Sequence, residues 1–204
     1  MANLNKPSTL PLEQAPTVSK RTQSGLHRIL VFDSGVGGLS ICQEIMAACQ
    51  NIEIHYLSDN KGFPYGETPE QQLIINASAL LLMATQLIQP TLIVIACNTA
   101  STVVLPSLRE KISLPIVGVV PAIKTAAKLS KSFAILATPA TIARRYIDDL
   151  ISMYASDKTV IKLGSSELVR HIECHLHGED LDHNLLIDII NKIKKQAPDQ
   201  AIDT

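Results

Sequence analysis

The chain has no tryptophan, and three phenylalanines and four tyrosines are its whole aromatic content, too little for a base-stacking nucleic-acid platform. Charge of either sign is not in excess: 18 Lys and Arg stand against 19 Asp and Glu. With no basic run, there is no electrostatic footprint for a nucleic acid or an acidic membrane surface. A small polar ligand is the partner that these absences leave. The cysteines, Cys42, Cys49, Cys97 and Cys174, lack the spacing of a secreted disulfide framework, which points to reduced thiols and a cytoplasmic location. Residues 1–27 lack the continuous apolar core of a signal peptide and are rich in Pro, Ser, Thr and Gln. They read as a flexible tail.

Charge is also missing from Gln71 to Leu108. Such a stretch invites a membrane reading, but Pro90 divides it and Asn76, Gln86 and Gln89 interrupt it. Its helical part falls short of the ~20 apolar residues a bilayer span needs. A helix and a strand buried in an α/β core is the simpler expectation, with no membrane partner.

What is present is an alternation. Short β-rich runs (RILVFD, IEIHYLS, TLIVIA, PIVGVV, FAILAT, TVIKLG) are each followed by a longer helical pattern. That is the rhythm of βαβ units in a parallel sheet. Thr68 before Pro69 and Thr138 before Pro139 read as N-caps followed by proline at the first helical position. TASTVVLPSLREKI and PATIARRYIDDLISMY each read as one helix. Pro121 ends a strand and marks a border, which divides the chain into two α/β lobes, 28–120 and 121–204. The expected fold class is therefore α/β, with two Rossmann-like lobes built on parallel sheets.

In such sheets, ligands gather where loops leave the carboxyl ends of the strands. FDSGVGGLS places Asp33 and Ser34 there, ahead of Gly35, Gly37 and Gly38. A plain glycine-rich turn capped by Asp33 is one reading. A dinucleotide loop is another, with Asp59 closing the second strand, although the glycines are spaced GxGG rather than GxGxxG. Asp33 would repel a phosphate and suits an ammonium group. The next loop carries Pro64, Tyr65 and Gly66 beside the first. IVIACNTAS then ends a strand on Cys97, with Asn98 and Thr99 opening a helix. A cysteine there is expected to have its thiolate favoured by the helix dipole, and Asn98 and Thr99 are donors for a carboxylate. A buried structural cysteine is the competing reading. Thr138 and Thr141 are either a second carboxylate site or the ordinary cap of their helix. His171, Cys174 and His175 share one helix face, but nothing near them has the knuckle spacing of a structural zinc site; no metal is expected.

Taken together, FDSGVGGLS, FPYGE, IVIACNTAS, LPIVGVVPAIK, LATPATIARRY and GSSELVRHIE resemble the cofactor-independent glutamate racemases of bacterial cell-wall synthesis. The resemblance runs from about residue 29 to the end. It implies that Cys97 is one of two cysteines flanking the glutamate α-carbon, one removing a proton and the other delivering one to the opposite face. By the same resemblance, Asp33 and Ser34, Tyr65 and Gly66, and Asn98 and Thr99 bind substrate, and Asp33 also assists Cys97. Thr138 and Thr141 would hold the far carboxylate, and Glu173 matches an acidic position near the opposing cysteine. The resemblance implies no cofactor, neither pyridoxal phosphate nor metal. It leaves open a homodimer and a cell-wall precursor as effector. The family carries its second cysteine in a Gly-Cys-Thr-His motif that these 204 residues lack, together with the C-terminal part of the fold. The expectation is that this chain alone racemises glutamate negligibly. Aspartate and hydantoin racemases are the neighbouring enzyme readings, and a non-catalytic ligand-binding remnant is the reading from another class.

Overall fold

The computed structural model describes residues 25–196. Residues 1–24 of the expected tail lie outside the described residues. Its last residue, His27, belongs instead to the first strand, β1 (His27–Asp33). From there the order is α1 (Leu39–Ala48), β2 (Ile52–Ser58), a short 3-10 turn (Tyr65–Glu67), α2 (Glu70–Ile88), β3 (Leu92–Ile95), α3 (Asn98–Val103), α4 (Leu105–Lys111) and β4 (Ile116–Gly118). The chain continues with α5 (Ile123–Leu129), β5 (Ser132–Ala137), α6 (Pro139–Ile142), α7 (Arg145–Tyr154), β6 (Thr159–Gly164), α8 (Ser166–Leu176) and α9 (His183–Gln196).

The strands form two parallel sheets, one in the order β2-β1-β3-β4 and one of β5 with β6. The α/β expectation holds, and the reason is visible in burial. Leu30, Val31 and Phe32 of β1 and Ile93 and Ile95 of β3 are buried on both faces, as their continuous apolar runs require. Leu30, Phe32, Ile93 and Ile95 pack against α2 through Leu73, Ala77 and Leu81. Ile29, Val31 and Val94 pack on the other face against Cys42 of α1. A separate cluster of Ile123, Phe133, Ile135, Ile147 and Leu150 joins α5 and α7 to β5.

Three local expectations need correction, and a fourth holds. Helix α2 begins at Glu70, its N-cap is Pro69, and no side chain caps it; Thr68 instead ends the preceding 3-10 turn. Thr138 does cap α6, accepting from the Thr141 N–H. The helix expected after β3 is divided at Val104, two residues before Pro106, because proline has no N–H to continue the ladder. The helix expected after β5 is divided at Ala143 and Arg144, where Arg144 turns extended.

The helix in the uncharged stretch is also not buried all round. By length and composition α2 could cross a membrane. Its Leu73, Ala77, Leu81 and Ala84 face the sheet, whereas Ile75, Met83 and Leu87 face outward. Leu81 is fully buried and Leu87 is 84% exposed. Leu81→Ala is therefore expected to lower stability by about 2–5 kcal/mol, while Leu87→Ala changes it by less than about 0.5 kcal/mol. Urea unfolding of the two variants checks this, and equal losses would mean that the outer face is covered as well.

Candidate active site

Strand β1 lies between β2 and β3, so the chain leaves it in opposite directions and the loops after β1 and β3 diverge. That switch point is where an open parallel sheet offers a crevice. The Ala96 N–H donates to the Phe32 carbonyl at 2.8 Å, which brings the next residues, Asp33 and Cys97, to the same sheet edge. Both are nearly buried, each 8% exposed. The Asp33 carboxylate accepts the Ser34 N–H at 2.6 Å and the Gly35 N–H at 3.3 Å, folding the glycine loop back on itself. That turn leaves the Ser34 hydroxyl 3.7 Å from the Cys97 Sγ. Cys97 is the N-cap of α3, and its sulfur accepts the Ala100 N–H at 3.5 Å.

The helix start does not lower the thiol's pKa overall. Burial, and after it the negative charge of Asp33, push Cys97 up to about 11, against the donors Ala100 and Ser34. The expected thiolate is thus corrected to a thiol: α3 is six residues long, and its dipole is weaker than full desolvation beside a carboxylate. Asp33 is itself raised by burial, against the N–H groups of Ser34, Gly35 and Gly38.

The opposite wall comes from the second sheet. Hydroxyls of Thr99, Thr138 and Thr141 form a triangle with sides of 3.3, 3.1 and 3.0 Å. Three hydroxyls so close can rotate together to donate to one anion. Gly66 closes against this triangle, and a Cβ there would lie 2.5 Å from the Thr138 Cβ. The Tyr65 phenol points away, donating to Asp59 at 2.7 Å, so its ring braces the loop that carries Gly66. Asp59 also accepts the Gly62 N–H at 3.2 Å. It is therefore engaged within its loop rather than presented to a ribose, which removes the acid that the dinucleotide reading needs. From α8, Glu173 accepts the Val36 N–H at 2.7 Å. Two ion pairs flank the same junction, Arg170 with Glu67 at 2.6 Å and Arg144 with Glu70.

All ten expected residues, Asp33, Ser34, Tyr65, Gly66, Cys97, Asn98, Thr99, Thr138, Thr141 and Glu173, line one cleft of about 580 Å³. Among the described residues its lining holds two carboxylates, Asp33 and Glu173, and no Lys, Arg or His. A ligand that brings its own cation suits such a site, and one that brings only phosphate does not. Of the four cysteines, Cys97 alone reaches the cleft. Cys42 packs in the cluster with Val31 and Val94. His171 accepts the Asp182 N–H and the His175 ring lies 2.9 Å from the Glu179 carbonyl, so both tie α8 to the segment after it. Tyr56 and Ser58, which reach the back of the glycine loop, were not legible as site residues. The signal was their shared face near the end of β2.

A family model described as Asp/Glu/Hydantoin racemase matches residues 29–202. The chain belongs to this racemase family. It is 47% identical over 175 residues to the glutamate racemase of Vibrio vulnificus strain YJ016, an alignment covering 85% of this chain and 66% of that protein. The Sodalis glossinidius glutamate racemase is also 47% identical, over 80% of this chain and 57% of its own. Among solved structures, Escherichia coli glutamate racemase, in complex with L-glutamate and the activator UDP-MurNAc-Ala, superposes with a TM-score of 0.76 at 41% identity. That superposition covers 85% of this chain and 65% of that one. A Bacillus anthracis glutamate racemase isoform gives 0.72 at 26% identity, over 87% and 66%. The chain thus spans 57–66% of the length of these relatives.

The charge balance at Cys97 makes a pH prediction. Only the thiolate is alkylated, so iodoacetamide labelling of Cys97, read by peptide mass spectrometry, is expected to rise with pH toward a midpoint at about 11. Asp33→Asn removes a negative charge that penalises the thiolate, and the curve moves to lower pH. A wild-type midpoint at the ordinary value of 9.0 would contradict this account.

Proposed function

We propose that this is the site of a cofactor-independent glutamate racemase, interconverting L- and D-glutamate for peptidoglycan synthesis in the cytoplasm, with Cys97 as the acid/base group on one face of the α-carbon. The observation that carries the reading is the pairing of Cys97 with Asp33 and Ser34 at one sheet edge, in a chain 47% identical to glutamate racemases. In this reading the chain has two lobes, 28–120 and 121–204, with the cleft between them and a border near Pro121.

An amino-acid substrate fits the electrostatics. Its ammonium group supplies the cation that the lining lacks and offsets the charge of Asp33, which lowers the cost of forming the Cys97 thiolate. Asn98 and Thr99 hold one carboxylate, Thr138 and Thr141 the other, and Tyr65 and Gly66 set the cleft wall between them. The Cys97 thiolate then takes the α-proton, and the carbanion's charge spreads into the neighbouring carboxylate. Asp33 and Ser34 assist the proton's passage. Inversion needs a donor on the other face, and in this reading Glu173, which lines the cleft, is an acidic neighbour of that donor. Escherichia coli glutamate racemase carries an activator named UDP-MurNAc-Ala in its structure, and a cell-wall precursor of that kind is the proposed effector here. A homodimer belongs to the same reading.

Because Cys97 is the single thiol at the cleft, the 204-residue chain is expected to exchange the α-proton of one glutamate enantiomer in heavy water without inverting it. Racemisation followed by circular dichroism is expected to be negligible, and Cys97→Ala to remove the exchange. Exchange that survives Cys97→Ala would overturn the assignment of the base. A folded chain that binds glutamate and exchanges nothing would favour a binding role.

A further inference from the structure

The carbonyl of Gly35 is held by two hydroxyls that no step above uses. Tyr56 donates to it at 2.6 Å and Ser58 at 2.8 Å. Both come from β2, which pairs with β1 so that Tyr56 lies opposite Val31 and Ser58 opposite Asp33. Two residues apart, they project from the same face of their strand, and they reach past the end of β1 to the loop beyond it. Ser58 shares its single hydroxyl hydrogen between Gly35 and the Asn60 side chain, so Tyr56 is the principal donor.

A peptide unit is planar, and its carbonyl and N–H point in opposite directions. Holding the Gly35 carbonyl therefore aims the Val36 N–H the other way, where Glu173 accepts it at 2.7 Å across the cleft. The same hold fixes the turn in which the Ser34 and Gly35 N–H groups bind the Asp33 carboxylate and the Ser34 hydroxyl faces Cys97. We propose that Tyr56 and Ser58 are positioning residues for proton transfer: acting through the Gly35 carbonyl, they hold Ser34 and Asp33 against Cys97 and direct the Val36 N–H into the cleft. Burial and the charge of Asp33 push the Tyr56 phenol well above its ordinary range, so it stays an O–H donor at working pH. Tyr56 also crowds this turn directly, since a Cβ on Gly38 would lie 2.8 Å from the Asp33 carboxylate and 2.9 Å from the Tyr56 hydroxyl.

The catalytic half of this inference rests on the racemase reading, so the test has two arms. In the first, kcat and KM for α-proton exchange with glutamate are compared for the wild-type chain, Tyr56→Phe, Ser58→Ala and Ser58→Thr. Misplacing reacting groups by an ångström costs up to about a hundredfold. Tyr56→Phe is expected to lower kcat by roughly tenfold or more on that scale, with a smaller change in KM. Ser58→Ala gives a smaller loss that Ser58→Thr, which keeps the hydroxyl, restores. In the second arm, the pH profile of Cys97 alkylation is read without any substrate. Loosening the turn withdraws the Ser34 donors from the sulfur, so the curve of Tyr56→Phe moves to higher pH. An alkylation shift with no exchange by the wild-type chain would support the positioning role and count against the glutamate reading. Unchanged alkylation and unchanged kcat in folded Tyr56→Phe and Ser58→Ala would overturn the proposal. If Tyr56→Phe does not fold, the Ser58 pair decides: equal profiles for Ser58→Ala and Ser58→Thr would refute it.

Discussion

The site depends on the pairing of β1 with β3. These strands are far apart in sequence and carry no chemistry until they lie side by side, Phe32 opposite Ile95, with the Ala96 N–H closing the ladder on the Phe32 carbonyl. One step beyond that bond, both chains turn away from the sheet. The turns place a carboxylate and a thiol together in a crevice that the parallel topology opens. A slip of one residue in this register would turn the side chains of β3 to the other face, and Cys97 would leave the crevice.

The same pairing sets the acidity of the sulfur. An exposed cysteine at a helix start would gain from the N–H groups around it, and Cys97 does accept from Ala100. Here the sulfur is buried and Asp33 adds its negative charge, so the thiol is held in its neutral form. A cation brought next to Asp33 would offset the charge that holds Cys97 protonated. The neutral form also guards the thiol against oxidation and alkylation, which require the thiolate.

The second sheet contributes differently. Its contacts with the first are short and polar: the Thr99, Thr138 and Thr141 hydroxyls, Gly66 against Thr138, Glu173 on the Val36 N–H, and two ion pairs at partly exposed positions. Exposed ion pairs contribute little to stability, about 0.2–1 kcal/mol each. Among the described residues the buried apolar clusters do not merge across this junction. The junction is therefore held by polar contacts rather than by a shared apolar core.

The amino-acid sequence determined the α/β alternation, the parallel sheets and the loops that carry the chemistry, because continuous apolar runs and turn residues act locally. Nine of the ten residues that the cleft brings together stood on strand-end loops, which converge in a parallel sheet; Glu173, inside α8, was reached only through the resemblance to glutamate racemases. Tertiary structure alone decided the rest. The N-terminal end of α2 and the breaks at Val104 and Arg144 follow from packing and from proline geometry in context. The Cys97 thiol was misjudged because a helix start is visible in a sequence, whereas burial and a carboxylate 64 positions earlier in the chain are not. Tyr56 and Ser58 read as ordinary strand residues until the glycine loop is seen to lie across them. Desolvation, like a hydrogen bond to a distant backbone carbonyl, is a property of three-dimensional neighbours, and the order of residues along the chain does not encode it locally.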